Sequence, residues 1–262
     1  MIEYYRLYLP KSKREVRIQI SLPRIKDNII FDTLYLLDGQ NAFKDNTSAY
    51  GRSIRANKQL NFAAKHLRKR IIGIAIYNSG SDMGRVNEYS PWKMEKPLIN
   101  EWSNNNPKIC MNFYDDFIST IIPFIEKKYN VSQDRYIYGS SLGAVMAAYM
   151  CLNDDTFKAC GLFSLASFLF ESEFDKFLDL KMPTSKNKRI FLYVGKNESS
   201  DSMENHEIYY YNSIRIHNKL KENGIKTRLV ISQSGEHNEE TWGYNFLDFI
   251  NFIYFDDMIY KY

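Results

Sequence analysis

The stretch "RYIYGSSLGAVMAAYM", Arg135 to Met150, decides how the rest of the chain is read. A short apolar run meets two serines between glycines and then turns into an Ala- and Met-rich pattern of helical spacing. Strand, tight corner and helix, in that order, form the setting in which G-x-S-x-G holds up a nucleophile. Gly139, Ser141 and Gly143 stand in register with it. Such a corner is strained, so small residues are needed where the backbone crowds. The helix start behind it offers amide donors and a favourable dipole to a developing anion. Ser140 lacks the glycine frame that Ser141 has. Alone, the pentapeptide also reads as a glycine turn with an inert serine, so a base, an acid and donors must be found elsewhere.

Working outward, the chain alternates short apolar runs with longer amphipathic ones. "TLYLLDG" (Thr33 to Gly39), "RIIGIAIY" (Arg70 to Tyr77), "ACGLFSLA", "RIFLYVG" (Arg189 to Gly195) and "KTRLVISQ" read as strands, the first two as strands buried on both faces. Between and after them, "NKQLNFAAKHLRKR", "FYDDFISTIIPFIEKKYN", "HEIYYYNSIRIHNKLKENG" and "NEETWGYNFLDFINFIYF" carry helical spacing. Pro123 should kink or divide the second of these. Residues 78–107, rich in Asn, Ser, Pro and Gly, read as the longest irregular segment. "EYYRLYLP" and "EVRIQISLP" have period-two character around the turn-like "KSKR", which predicts an opening antiparallel hairpin. A hairpin followed by repeated βα units predicts an α/β fold with a mostly parallel central sheet and helices on both faces. Ligand sites then lie at the carboxyl ends of the strands.

Bulk properties bound the function. The 262 residues suit a single domain covering 1–262, and 44% hydrophobic with 25% charged residues exclude a disordered chain. A net charge of +4 is mild. The most basic run, "KHLRKR" at Lys65 to Arg70, reads as a solvated helix end rather than a nucleic-acid surface. Three cysteines (Cys110, Cys151, Cys160) form neither a disulfide framework nor a metal-ligand spacing. The first eighteen residues lack a continuous apolar core and a cleavage site, and no stretch has the apolar length of a membrane span. The expectation is a soluble cytoplasmic protein with no metal, no organic cofactor, no membrane and no nucleic-acid partner. Nothing in the sequence speaks to its oligomeric state.

Four histidines compete for the role of base. His66 falls in the basic helix, His217 inside an amphipathic helix and His206 at a helix start. His237, in "SQSGEHNEETW", follows the last strand in a glycine-containing loop, where a base can reach a nucleophile at a neighbouring strand end. The acid should follow "RIFLYVG", which leaves Glu198, nearer the strand end, and Asp201. The order Ser, acid, His is that of the hydrolases rather than of the known protease arrangements. Two backbone donors are needed for an oxyanion. The amide of Leu142 directly follows the nucleophile, and Gln40, with Asn41 as alternate, lies in the turn after "LYLLDG".

With those residues in place, "LYLLDGQNAF", "GRVNEYSPW", "YGSSLGA", "LYVGKNE" and "GEHNEETW" resemble, in order and over most of the chain, the "Putative esterase" family of α/β-hydrolases. "DGQN" with R-x-x-E-Y-S-P-W looks most like its enterochelin and trilactone siderophore esterase branch. The resemblance implies an α/β-hydrolase fold, a small-molecule ester substrate and a triad of Ser141, Glu198 and His237. Gln40 and Leu142 would supply the oxyanion amides, and Arg85 would contact an anionic or catecholate substrate unless it pairs with Glu88. Tyr89 and Trp92, in the same segment, are the expected further walls of the substrate pocket. Departures from the family pattern are Ala144 where a second glycine is frequent and Ile54 where an aromatic is frequent. Some members manage with Ser and His alone, which bears on whether Glu198 is required.

Overall fold

Ile2–Leu9 (β1) and Arg14–Ser21 (β2) pair antiparallel across the "KSKR" turn, as their alternating pattern requires. The structure is a computed structural model and describes residues 1–23, 29–198 and 207–255. The remaining strands are Phe31–Leu36 (β3), Ile71–Ile76 (β4), Val131–Ser140 (β5), Ala159–Phe163 (β6), Arg189–Gly195 (β7) and Lys226–Ser232 (β8). They form one eight-stranded sheet in the order β1-β2-β4-β3-β5-β6-β7-β8. Every pairing from β4 to β8 is parallel, and β2 runs antiparallel to both its neighbours. All six residues of β4 are buried, which is why its sequence is continuously apolar rather than alternating.

Helices cover both faces. Ala56–Phe62 (α1) and Glu239–Tyr254 (α8) pack Leu60, Phe246 and Phe249 onto Phe163 and Phe191 of the sheet. The opposite face carries Asp82–Tyr89 (α2), Pro107–Asp116 (α3), Ile122–Lys128 (α4), Leu142–Asn153 (α5), Glu171–Lys181 (α6) and Ile208–Glu222 (α7). Ten of the twelve residues of α5 are buried, so it is apolar all round instead of striped. Pro123 does not break the helix: a wide π turn over Phe117–Ile121 joins α3 to α4 just ahead of the proline, and the chain stays helical through it.

The segment 78–107 is less irregular than its composition suggests. Ser81 caps α2 by accepting from the Gly84 amide at 3.1 Å, and a 3₁₀ turn spans Asn100–Asn104. Capping by Ser81 thus turns "DMGRVNEY" into a helix, which fixes the directions of Arg85, Glu88 and Tyr89. The carboxyl ends of β3, β5, β7 and β8 lead directly into the segments that bear Gln40, Ser141, Glu198 and His237.

Candidate active site

Ser141 lies between β5 and α5 with φ 55° and ψ −123°, a conformation that L residues rarely hold. Such strain costs about 1–3 kcal/mol and persists only where the surroundings over-determine it. Here its N–H donates to the Phe163 carbonyl at 2.8 Å, and α5 departs at once. The crossing leaves no room before it: a Cβ on Gly139 would stand 2.1 Å from the Gly143 carbonyl oxygen. Ser141 and Ser140 both line a cavity of about 500 Å³ together with Gln40, Arg85, His237 and Glu239.

His237 and Glu198 meet at the edge of that cavity. His237 Nδ1 is 3.0 Å from Glu198 Oε2. Glu198 is 1% exposed, and its other oxygen accepts from the Ser164 hydroxyl at 2.6 Å and from the Gly195 amide at 2.7 Å. Because a carboxylate only accepts, Nδ1 is the donor in this pair, and Nε2 is the ring nitrogen left for another partner. The loop that bears the acid is locked to the loop that bears the histidine. A Cβ on Gly195 would stand 2.2 Å from the Gly235 carbonyl oxygen, and the Asn197 amide donates to that same oxygen at 2.9 Å.

Three residues that the sequence reading did not single out complete this arrangement. Ser164, at φ 51°, relays between Glu198 and the Trp242 indole N–H, which donates to its hydroxyl at 2.8 Å. Trp242 and Tyr209 flank the His237 ring at 5.1 and 4.5 Å. Burial pushes the Tyr209 phenol up to about 12, against the opposing effect of a hydrogen bond with Ser141. Trp242 falls within the motif "GEHNEETW", whereas nothing in "IYYY" distinguishes Tyr209 from its neighbours.

On the other side of Ser141 is the turn after β3. Asp38 holds φ 52° and ψ 48°, and its own amide donates to the Tyr89 hydroxyl at 3.0 Å. Its carboxylate takes Arg85 through Nε at 2.9 Å and Nη2 at 2.7 Å, and the Asn78 amide at 2.7 Å. Burial works against the Arg85 charge, but Asp38 outweighs it and holds the guanidinium above its ordinary pKa. Arg85 Nη1 meets no acceptor among the described residues. The same holds for the backbone N–H groups of Gln40 and Leu142, whereas the Asn41 amide is spent on the Asp38 carbonyl at 2.9 Å.

Several expected placements differ. Arg85 pairs with Asp38 and not with Glu88. Glu88 instead meets Arg14, and burial pushes its carboxyl up to about 7 against that ion pair. Tyr89 is wholly buried beneath Asp38 and Arg85, so it supports the cavity floor rather than walling the cavity. Trp92 is not among the cavity residues. It packs on Tyr149, Phe170, Phe174 and Phe177 with centroids 5.3–6.1 Å away, because the end of α2 turns it towards α5 and α6. His66 stacks on Phe62 and His217 meets the Thr227 hydroxyl at 3.2 Å, both outside the cavity. Asp201 and His206 lie outside the described residues. Among the described residues no group of three His, Cys, Asp or Glu could hold a metal ion, and no helix is long and apolar enough to cross a membrane.

A mostly parallel sheet whose strand ends present a strained serine beside a histidine–carboxylate pair defines an α/β-hydrolase-like protein. Residues 10–253 match the family model described as "Putative esterase", and the chain belongs to that family. No curated protein matches it by sequence. Among solved structures, it is similar to an IroE-like serine hydrolase from Shewanella oneidensis, with 17% identity, TM-score 0.76, and coverage of 95% of this chain and 80% of that one. The BES protein from Bacillus cereus has 18% identity and TM-score 0.74, over 96% and 94% of the two chains. Siderophore hydrolase EstA from Aspergillus nidulans has 14% identity and TM-score 0.73, over 95% and 93%. These likenesses establish the fold, and the family match supports ester hydrolysis as the class of reaction.

Proposed function

We propose that this protein is a serine esterase that cleaves carboxylic esters of small molecules through an acyl-enzyme. One observation carries the reading: Glu198, buried and triply hydrogen-bonded, holds His237 Nδ1 at the rim of the cavity that also contains the strained Ser141. In this mechanism His237 Nε2 removes the Ser141 hydroxyl proton as Oγ attacks the ester carbonyl. The Gln40 and Leu142 amides, which have no acceptor of their own among the described residues, receive the tetrahedral oxyanion. Collapse breaks the bond to the alcohol oxygen, and the proton held on Nε2 passes to that oxygen. Water then repeats the sequence: it gives a proton to Nε2, adds to the acyl carbon, and the serine leaves with the proton returned.

Arg85, with Nη1 unspent, is the group available to an acceptor on the substrate. The similarity to a siderophore hydrolase makes a trilactone or related acyl ester one class of substrate to test. Three buried free thiols suit a reducing, cytoplasmic setting. Turnover of p-nitrophenyl esters of increasing acyl length, with Ser141→Ala alongside, tests the reading. Release of p-nitrophenol by the wild type and none above background by the variant is expected. Equal rates in the two would refute it.

A further inference from the structure

Glu239, two residues after His237, is a buried carboxyl with no part in the acyl-transfer steps. It is 4% exposed and lines the cavity. Its Oε1 accepts from Asn41 Nδ2 at 2.7 Å, and Oε2 receives no hydrogen bond from another residue among the described residues. An acid in the first turn of a helix is ordinarily explained by the helix dipole. Glu240 serves that end in solvent, so the dipole does not account for burying Glu239 as well. Besides Asn41, only its own backbone N–H serves it among the described residues, and a buried carboxylate so short of donors is costly unless something else satisfies it. Gln40 adds to the imbalance, since its Oε1 is buried without a donor at the wall of the same cavity. The cation in the cavity, Arg85, is already held by Asp38 through both carboxylate oxygens.

We propose that Glu239 is a specificity-determining residue whose Oε2 accepts a hydrogen bond from a donor group, ammonium or hydroxyl, on the alcohol portion of the ester. The proposal rests on the esterase reading. The alcohol side is assigned because His237 must deliver its proton to the departing alcohol oxygen, which places that oxygen next to His237 and so next to Glu239. Asp38 and Arg85 are the charged groups that act on Glu239 from the facing turn and from α2. Burial, aided by Asp38, pushes its carboxyl up to about 7, against its own backbone N–H, Arg85 and Asn41.

The test uses four butyrate esters that differ only in the alcohol: propyl, 3-hydroxypropyl, 3-(dimethylammonio)propyl and 3-carboxypropyl. Hydrolysis is followed by acid release, with fluorophosphonate labelling of each protein measured in parallel. In the wild type, kcat/KM for at least one donor-bearing ester should exceed that of the propyl ester about ten- to hundredfold, and the carboxylate ester should be slowest. The ammonium and hydroxyl arms identify which donor the site takes. In Glu239→Gln, Asn41 holds the amide oxygen and the amide NH₂ replaces Oε2, so the ratio should fall to about one. Ratios are taken within each protein, so a general loss of activity cancels. A wild type that labels and hydrolyses but shows no donor preference, or a preference unchanged in Glu239→Gln, overturns the proposal and leaves the esterase reading intact. A wild type that neither labels nor hydrolyses overturns both.

Discussion

Of the hollows on this molecule, the one beside Ser141 and the one beside Trp92 differ in what lines them. The one around Ser141 measures about 500 Å³, and serine, histidine, arginine and carboxyl groups converge on it. The one around Trp92 is larger, about 650 Å³, and is lined by Pro91, Trp92, Met94 and Pro107 with charged residues at its rim. Between these two, size would select the second. Its aromatic residue is committed to a cluster with Tyr149, Phe170, Phe174 and Phe177, so its shape follows from packing. In the first, polar groups are held in place by one another and keep reactive atoms free. Convergence of satisfied polar groups around unsatisfied ones distinguishes a candidate site from a gap between helices.

Substitutions in the two hollows should therefore have opposite signatures. Glu198→Gln keeps the shape of the acid but cannot favour the Nδ1–H form of His237. Its kcat for a p-nitrophenyl ester should drop about a thousand- to ten-thousandfold, with the unfolding midpoint read by circular dichroism as the control. A drop of less than about tenfold would mean that Ser141 and His237 suffice as a pair.

Gly139→Ala attacks the frame rather than the chemistry. The added Cβ would stand 2.1 Å from the Gly143 backbone oxygen, which has no flexible end to give way. A stability loss of about 3 kcal/mol in urea unfolding is expected, together with lost activity. Unchanged stability would show that the corner is looser than the geometry implies.

The Ser141 hollow also holds a titrating group whose effect on stability can be read, Glu239. Its folded pKa, about 7, lies above the ordinary 4.5, so its contribution is fully present below 4.5 and is lost as pH rises through 7. The melting temperature of wild type relative to Glu239→Gln should decline across that window.

The smallest expected effect on activity belongs to the other hollow. Trp92→Ala should cost about 3 kcal/mol of stability and leave kcat/KM for p-nitrophenyl esters within about twofold of wild type. A selective rise in KM would return Trp92 to the substrate site.

The contrast also explains what could be read in the sequence. The order of strands and helices was legible because most buried strands are short apolar runs and the turns at β3, β5, β7 and β8 carry a glycine or serine. Ser141, His237 and Glu198 were legible because their positions depend on strand ends, which the sequence marks. Side-chain direction in the segment 78–107 was not. Whether Tyr89 and Trp92 face a cavity depends on the rotation of α2, set by the Ser81 cap and by Asp38 drawing in Arg85. Ser164 and Tyr209 were invisible for a related reason, since their partners lie on other strands and helices and local spacing carries no trace of them.

The central claim, that Ser141 is the nucleophile of this fold, is tested most directly by mapping a covalent label. The protein is treated with a fluorophosphonate, digested, and the modified peptide is sequenced by mass spectrometry. A single phosphonyl group on Ser141, absent in Ser141→Ala and slowed in Glu198→Gln, is the predicted result. A label on Ser140, a label that persists in Ser141→Ala, or no label on the folded wild type would contradict it.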